Sequence, residues 1–211
     1  SDFFFSLNQN SIEEQDKKIS DQLLSAYYDR DVDKAKEIYT QISTSDNDLL
    51  KLRAELILDT LQGGRRKLSN NKDKILQKVF SGNHWNSDSS KILILANFIE
   101  VFDPLDLPFF LNQIYKKYQN NLAQQPLKIQ ESVATFCINY LYSASQNKHI
   151  SSIDKAIHLL TQLTESPELG IEKILGYYYH CYFTNQKDQL EIITKLLKQS
   201  NLSKIIDILP Q

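Results

Sequence analysis

The stretch from Ile92 to Phe102, ILILANFIEVF, restricts the fold more than any other part of the chain. At helical spacing, Ile92, Leu95, Ala96 and Ile99 form one apolar stripe, and Ile94, Phe98 and Val101 form a second. A helix that is apolar on several sides needs neighbours on several sides, so the stretch predicts the middle of a helical stack. Only Asn97 and Glu100 interrupt the run. Ser87 or Asp88 stands where its N-cap belongs. After it, Asp103-Pro104-Leu105-Asp106-Leu107-Pro108 makes a tight connection. Asp106 caps the next helix and Pro108 sits in its first turn, where N–H groups are unpaired in any case.

The remaining segments also read as helices. Ser11 and Glu14 form a capping-box pair, followed by Ile12, Ile19, Leu23, Ala26 and Tyr27 on one face. Asp29-Arg30-Asp31 breaks this helix, and Val32, Ala35, Ile38, Tyr39 and Ile42 build another, so residues 11–43 predict a helical hairpin. Asp46 or Asn47 caps a third helix carrying Leu49, Leu52, Leu56 and Leu61, which ends at Gly63-Gly64. Arg65-Arg66-Lys67 then reads as a solvated turn with cations beyond a helix C-terminus, in preference to a contact with phosphate or an acidic partner. A fourth helix near residues 71–80 closes at Gly82. Pro126 opens a long helix with Ile129, Val133, Phe136, Cys137, Tyr140 and Ala144 on one side. Ser151 or Ser152 caps the next, and Pro167 precedes a helix through Phe183, in which Gly176 allows a neighbour to approach closely. A helix over 187–199 pairs with it, and 202–209 is a short apolar tail.

No strand alternation is present. Ten or eleven helices, mostly in hairpins joined by short loops, predict an all-α fold of stacked antiparallel pairs. The pairs recur at roughly 35 to 45 residues, which fits a tetratricopeptide-like right-handed superhelix. Residues 1–211 read as a single helical-repeat domain, with 1–10 as a junction and 200–211 as a C-terminal capping helix. A net charge of −2 with both signs interspersed excludes bulk attraction to nucleic acid. No apolar run reaches the length of a membrane span, and no cleavable signal pattern opens the chain. Cys137 and Cys181 lie within apolar helical patterns and read as buried thiols, which fits a reducing, cytoplasmic setting. The chain has no methionine and starts at Ser1, which reads as a chain with a segment missing in front.

Catalytic signatures are missing: there is no HExxH, no Gly-rich phosphate loop, no CxxC pair and no GxSxG. His84, His149, His158 and His180 have no spacing that gathers two metal ligands on one turn. The expectation is therefore a non-enzyme without metal or cofactor. What stands out is polar groups within apolar helices: Asn97, Asn139, Tyr142, Tyr178 and Tyr182. On the concave side of a helical array, a carboxamide can pair with one peptide unit of an extended ligand, and tyrosines can add apolar contact with a hydrogen-bonding tip. These five are the candidate ligand-binding residues.

The segments His84-Trp85-Asn86, Leu93-Ile94-Leu95-Ala96-Asn97 and Phe109 to Tyr118 follow one another in a particular order. With Cys137 to Tyr142, Lys155-Ala156-Ile157, Gly176 to Asn185 and the opening Asp2-Phe3-Phe4-Phe5, the chain resembles the C-terminal regulatory domain of Rgg/GadR/MutR-type transcriptional regulators. The resemblance covers nearly the whole chain and rests on order and spacing. It implies a sensor domain of a Gram-positive bacterial regulator that dimerises, binds a short hydrophobic signalling peptide, and controls an N-terminal helix-turn-helix domain not contained in this chain. Asn97 matches the family's Asn on the central helix and carries over as a ligand contact; Asn139 and the tyrosines rest on the residues alone. The alternative is a tetratricopeptide-type protein–protein scaffold without a signalling role. Clamps of that kind for acidic peptide ends need clustered Lys and Arg, in which these helices are poor.

Overall fold

The structure, a computed structural model, describes residues 16, 18–27, 29–43, 47–62, 72–81, 84–147 and 150–210. Among them every regular element is helical. The α-helices are α1 (18–27), α2 (Val32–Ile42), α3 (Asp48–Leu61), α4 (Lys72–Phe80), α5 (Ser89–Asn97) and α6 (Leu107–Tyr118). They continue as α7 (Leu127–Gln146), α8 (Ile153–Thr161), α9 (Gly170–Phe183), α10 (Lys187–Gln199) and α11 (Ser203–Ile206). The sequence reads as one domain, but the chain divides into two compact units, residues 1–71 and 72–211.

In the first unit, Leu23 and Ala26 of α1 pack with Ala35, Ile38 and Ile42 of α2 and with Leu50, Ala54 and Ile57 of α3. The turn between α1 and α2 places Arg30 at φ 54, and Asp31 caps α2 by accepting from the Lys34 amide at 2.9 Å. The Asn47 side chain caps α3 by accepting from the Leu50 amide at 3.1 Å. The Ser11–Glu14 pair, the 1–10 junction, Gly63-Gly64, Arg65-Arg66-Lys67, Gly82 and His149 lie outside the described residues.

In the second unit the helices alternate between two layers. α5 packs on α7 and α7 on α9, while α6 packs on α8, which also rests on α7 and α9. α10 rests on α9. The most enclosed helix is α7 rather than α5. Val133, Ala134, Phe136, Cys137, Tyr140 and Leu141 are all fully buried, and burying each large apolar side chain contributes about 1.5–3 kcal/mol. α5 is shorter than the apolar run suggested, and one side is open: Leu93 is 38% exposed. The helix stops at Asn97, Phe98 turns to φ −110, ψ 20, and Ile99–Val101 forms a 3₁₀ turn.

Capping follows the sequence where a side chain can reach a free amide. Asp88 accepts from the Ser90 amide at 2.9 Å and the Lys91 amide at 3.4 Å, opening α5. Ser152 precedes α8 at φ 65 without a side-chain bond, so the cap there is positional. The expected capping helix over 200–211 is the short α11, with Leu209 and Pro210 buried after it. Trp85, in the 3₁₀ turn Trp85–Ser87, sets its ring edge-on to Phe80 (5.4 Å) and Phe110 (6.4 Å), and Asn86 donates to the Gln113 carbonyl at 3.1 Å. These residues dock the turn onto α6.

Gly176 performs the close approach expected of it. A Cβ built there would lie 2.9 Å from Leu160 Cβ and 3.2 Å from its Cδ1, so α8 and α9 nearly touch at this point. Alanine would raise helix propensity by about 1 kcal/mol, but overpacking of this kind costs about 1–3 kcal/mol. Gly176→Ala is therefore expected to lower stability in a denaturant titration; a stabilised variant would contradict the close α8–α9 packing.

Candidate functional site

The five candidate residues all fall on the α5, α7, α9 layer. Asn97 is the last residue of α5, where the chain leaves the α-helix. The final turn of a helix has carbonyls without an i+4 amide. One of them, Ala96 O, accepts from Asn139 Nδ2 of α7 at 2.9 Å. A buried carbonyl left unpaired costs about 1–3 kcal/mol, so this bond ties α5 to α7 at the point where α5 ends. The Asn139 amide nitrogen is thereby committed inside the fold. The neighbouring Asn97 is half-buried, and its side chain makes no hydrogen bond among the described residues.

One turn beyond Asn139 on α7, Tyr142 is half-buried and faces the tyrosines of α9. The centre of that group is Tyr179, which sequence reasoning did not single out. It is 1% exposed, and its phenol is pushed far up from the ordinary tyrosine range by burial first, then by the neighbouring Tyr142, Tyr178 and Tyr182. The run Tyr177-Tyr178-Tyr179 was the available signal, because three consecutive tyrosines on one helix cannot all reach solvent.

Tyr178 does not present its hydroxyl to an open face. It is 3% exposed and donates to the Pro210 carbonyl at 2.6 Å, which pins the tail after α11 to α9. Sequence periodicity placed it on the Tyr182 face but contained nothing about the tail that covers it. Tyr182 is half-buried, with its ring edge-on to Phe183 at 5.2 Å. The fold thus arranges Asn97, Asn139, Tyr142 and Tyr182 across the three helices α5, α7 and α9 of one layer. Asn97, Tyr142 and Tyr182 keep side-chain groups without hydrogen bonds among the described residues, while Asn139 and Tyr178 are spent on structure.

Two other features bear on chemistry. A cleft of about 380 Å³ lies between α8 and α9, lined by Ile157, Leu160, Thr161, Lys173, Gly176, Tyr177 and His180; none of the five candidates lines it. His158 Nδ1 and Glu172 Oε2 are buried without a hydrogen-bond partner among the described residues. Among the described residues no group of His, Cys, Asp and Glu could hold a metal ion. Cys137 and Cys181 are both free and buried, and burial pushes the Cys137 thiol far up, so it stays protonated.

No protein-family model matches this chain, nor does any curated protein or any solved structure. The class that the described residues define is an all-helical protein. Among its described residues no helix is long and apolar enough to cross a membrane.

The two asparagines are expected to separate in a stability assay. Asn139→Ala leaves Ala96 O unpaired and should cost about 1–3 kcal/mol in denaturant unfolding, whereas Asn97→Ala should stay within about 0.5 kcal/mol. Equal costs would place Asn97 in the same internal network.

Alkali should also unfold the protein through its buried phenols. Burial raises Tyr118 from an ordinary 10.0 to about 12, and Tyr140 and Tyr179 move further up. A phenol whose folded value is raised contributes stability that is complete below the unfolded value and lost as pH climbs through the folded one. The unfolding midpoint should hold below pH 10 and fall between 10 and 12; a midpoint flat across that window would contradict buried, protonated phenols.

Proposed function

We propose that this chain is the ligand-sensing and dimerisation domain of a transcriptional regulator of the Rgg/GadR/MutR type. It binds a short hydrophobic peptide, and a helix-turn-helix domain preceding it contacts DNA. The helix pairs belong to a tetratricopeptide-like superhelix, and the domain works by binding, in the cytoplasm, without catalysis or cofactor. The observation that carries this reading is the state of Asn97. Its carboxamide is half-buried and makes no hydrogen bond among the described residues, one residue from the Asn139–Ala96 tie and on the layer that also bears Tyr142 and Tyr182.

A carboxamide offers one acceptor and one donor group to a peptide unit, and so holds an extended backbone regardless of side chains. The half-open tyrosines add apolar contact at low entropic cost. Leu93, one turn before Asn97 and 38% exposed, extends the apolar part of the face. The peptide changes the attached DNA-binding heads only by favouring one arrangement of the dimer over the other. Self-association uses α10, where Ile192 (60% exposed) and Leu196 (49% exposed) lie one turn apart. Asp188 near the start and Lys195 near the end of that face would meet each other's opposite across an antiparallel pair of α10 helices.

The test is isothermal titration with short hydrophobic peptides, alongside sedimentation analysis. A peptide ligand should bind the unmodified chain and lose about 5- to 30-fold in affinity with Asn97→Ala, as expected for one lost backbone pairing. Ile192→Glu should shift the dimer to monomer. Failure of all peptides to bind, or binding indifferent to Asn97, would remove the sensor reading, and a monomeric unmodified chain would remove the dimer.

A further inference from the structure

The cleft between α8 and α9 is separate from the Asn97 strip and has a chemistry of its own. Its lining on α8 is Ile157, Leu160 and Thr161, and Gly176 of α9 lets Leu160 pack directly on the α9 backbone beside it. On α9, Lys173, Tyr177 and His180 recur at helical spacing and so point to one side. The Tyr177 and His180 rings stack with centroids 6.3 Å apart and planes 19° from parallel, making a flat aromatic edge. A volume of about 380 Å³ falls within the range of small-molecule sites.

The charge in this cleft is unbalanced. Among the described residues the Lys173 ammonium reaches the Leu163 and Thr164 carbonyls, at 3.2 and 3.4 Å, in the turn after α8. It makes no ion pair among the described residues. An ammonium has three donors, and a part-buried cation gains most from an ionised acceptor. Lys173 is the one ammonium among lining residues that, apart from Thr161, Tyr177 and His180, are apolar, and one ammonium matches one negative charge on an apolar body.

We propose that this cleft binds a small carboxylate with an apolar body. Its head sits on the Lys173 ammonium, and its body lies along Ile157, Leu160 and Gly176 against the Tyr177–His180 edge. The thermodynamic logic is that of other amphipathic ligands: burial of the body supplies the larger share of the affinity, and the charge-assisted hydrogen bond selects the carboxylate over a neutral head. Because the binding groups are on α8 and α9, occupancy would also set how firmly these two helices are held together, independently of any peptide bound at Asn97.

Octanoate is a suitable probe, with 1-octanol as its uncharged counterpart, followed by backbone amide NMR on the full chain. Saturable octanoate binding is expected, with shifts concentrated over residues 157–161 and 173–180. Lys173→Met should weaken octanoate at least about 10-fold while leaving octanol unchanged. Thr161→Phe, a substitution at an exposed position on the cleft rim, should block both ligands without lowering the unfolding midpoint, and it carries the test should Lys173→Met not fold. Absence of saturable binding, equal octanoate affinity in Lys173→Met, or shifts located elsewhere would each overturn the proposal. None of these outcomes bears on peptide binding, which reads out at Asn97.

Discussion

The enclosure of α7 is the constraint on which the second unit depends. Six consecutive-turn side chains from Val133 to Leu141 are shut away from water by α5, α8 and α9. A helix buried on that many sides has no water to pair its polar atoms, so each must find a partner within the protein. Three polar side chains of α7 meet this requirement through bonds to other segments. Gln130, 2% exposed, accepts from the Thr164 amide at 2.9 Å and donates to the Gln125 carbonyl at 2.8 Å. Tyr140 donates to the Ser151 carbonyl and Asn139 to the Ala96 carbonyl. These bonds reach the loop after α8, the turn before α8 and the end of α5 respectively. The polar groups of one helix thus register three neighbouring segments.

This also explains how far the fold was legible in the sequence. Local signals were legible because they act locally: of the two cap candidates offered at each site, Asn47 and Asp88 cap the helices they precede, and Gly176 lets α8 close on α9; Asp31, read only as part of a helix break, caps α2 as well. The buried thiols Cys137 and Cys181 followed from the apolar positions around them. Which helix would be central was not legible. α5 has the denser apolar run, but its Leu93 side is open, while α7 mixes Ser132, Ser143 and Gln130 into faces that are nonetheless buried. Periodicity counts apolar residues and is blind to polar side chains that become buried once satisfied, as Ser132 is by the Lys128 carbonyl on its own helix and Gln130 by the amide of Thr164, 34 residues on.

The candidate site was legible to the same depth. Its residues do share a layer, since they were drawn from helices of one register in successive pairs. Their individual states depended on long-range partners. Tyr178 could not be told from Tyr182 without the tail that brings Pro210 to its hydroxyl. Asn139 could not be told from Asn97 without the end of α5, which places a carbonyl before one amide and none before the other. The tyrosine cluster around Tyr179 is a packing consequence of α7 lying on α9.

The claim that everything functional here rests on is the contrast between these two carboxamides: Asn139 closed onto Ala96 O, and Asn97 left with its hydrogen-bonding groups unspent. Side-chain amide hydrogen exchange, followed by NMR on the protein without added ligand, reads both at once. The account predicts a protected Asn139 NH₂ whose exchange slows with the stability of the fold, and an Asn97 NH₂ exchanging near the rate of a free side chain. Protection of both, or free exchange at Asn139, would contradict it.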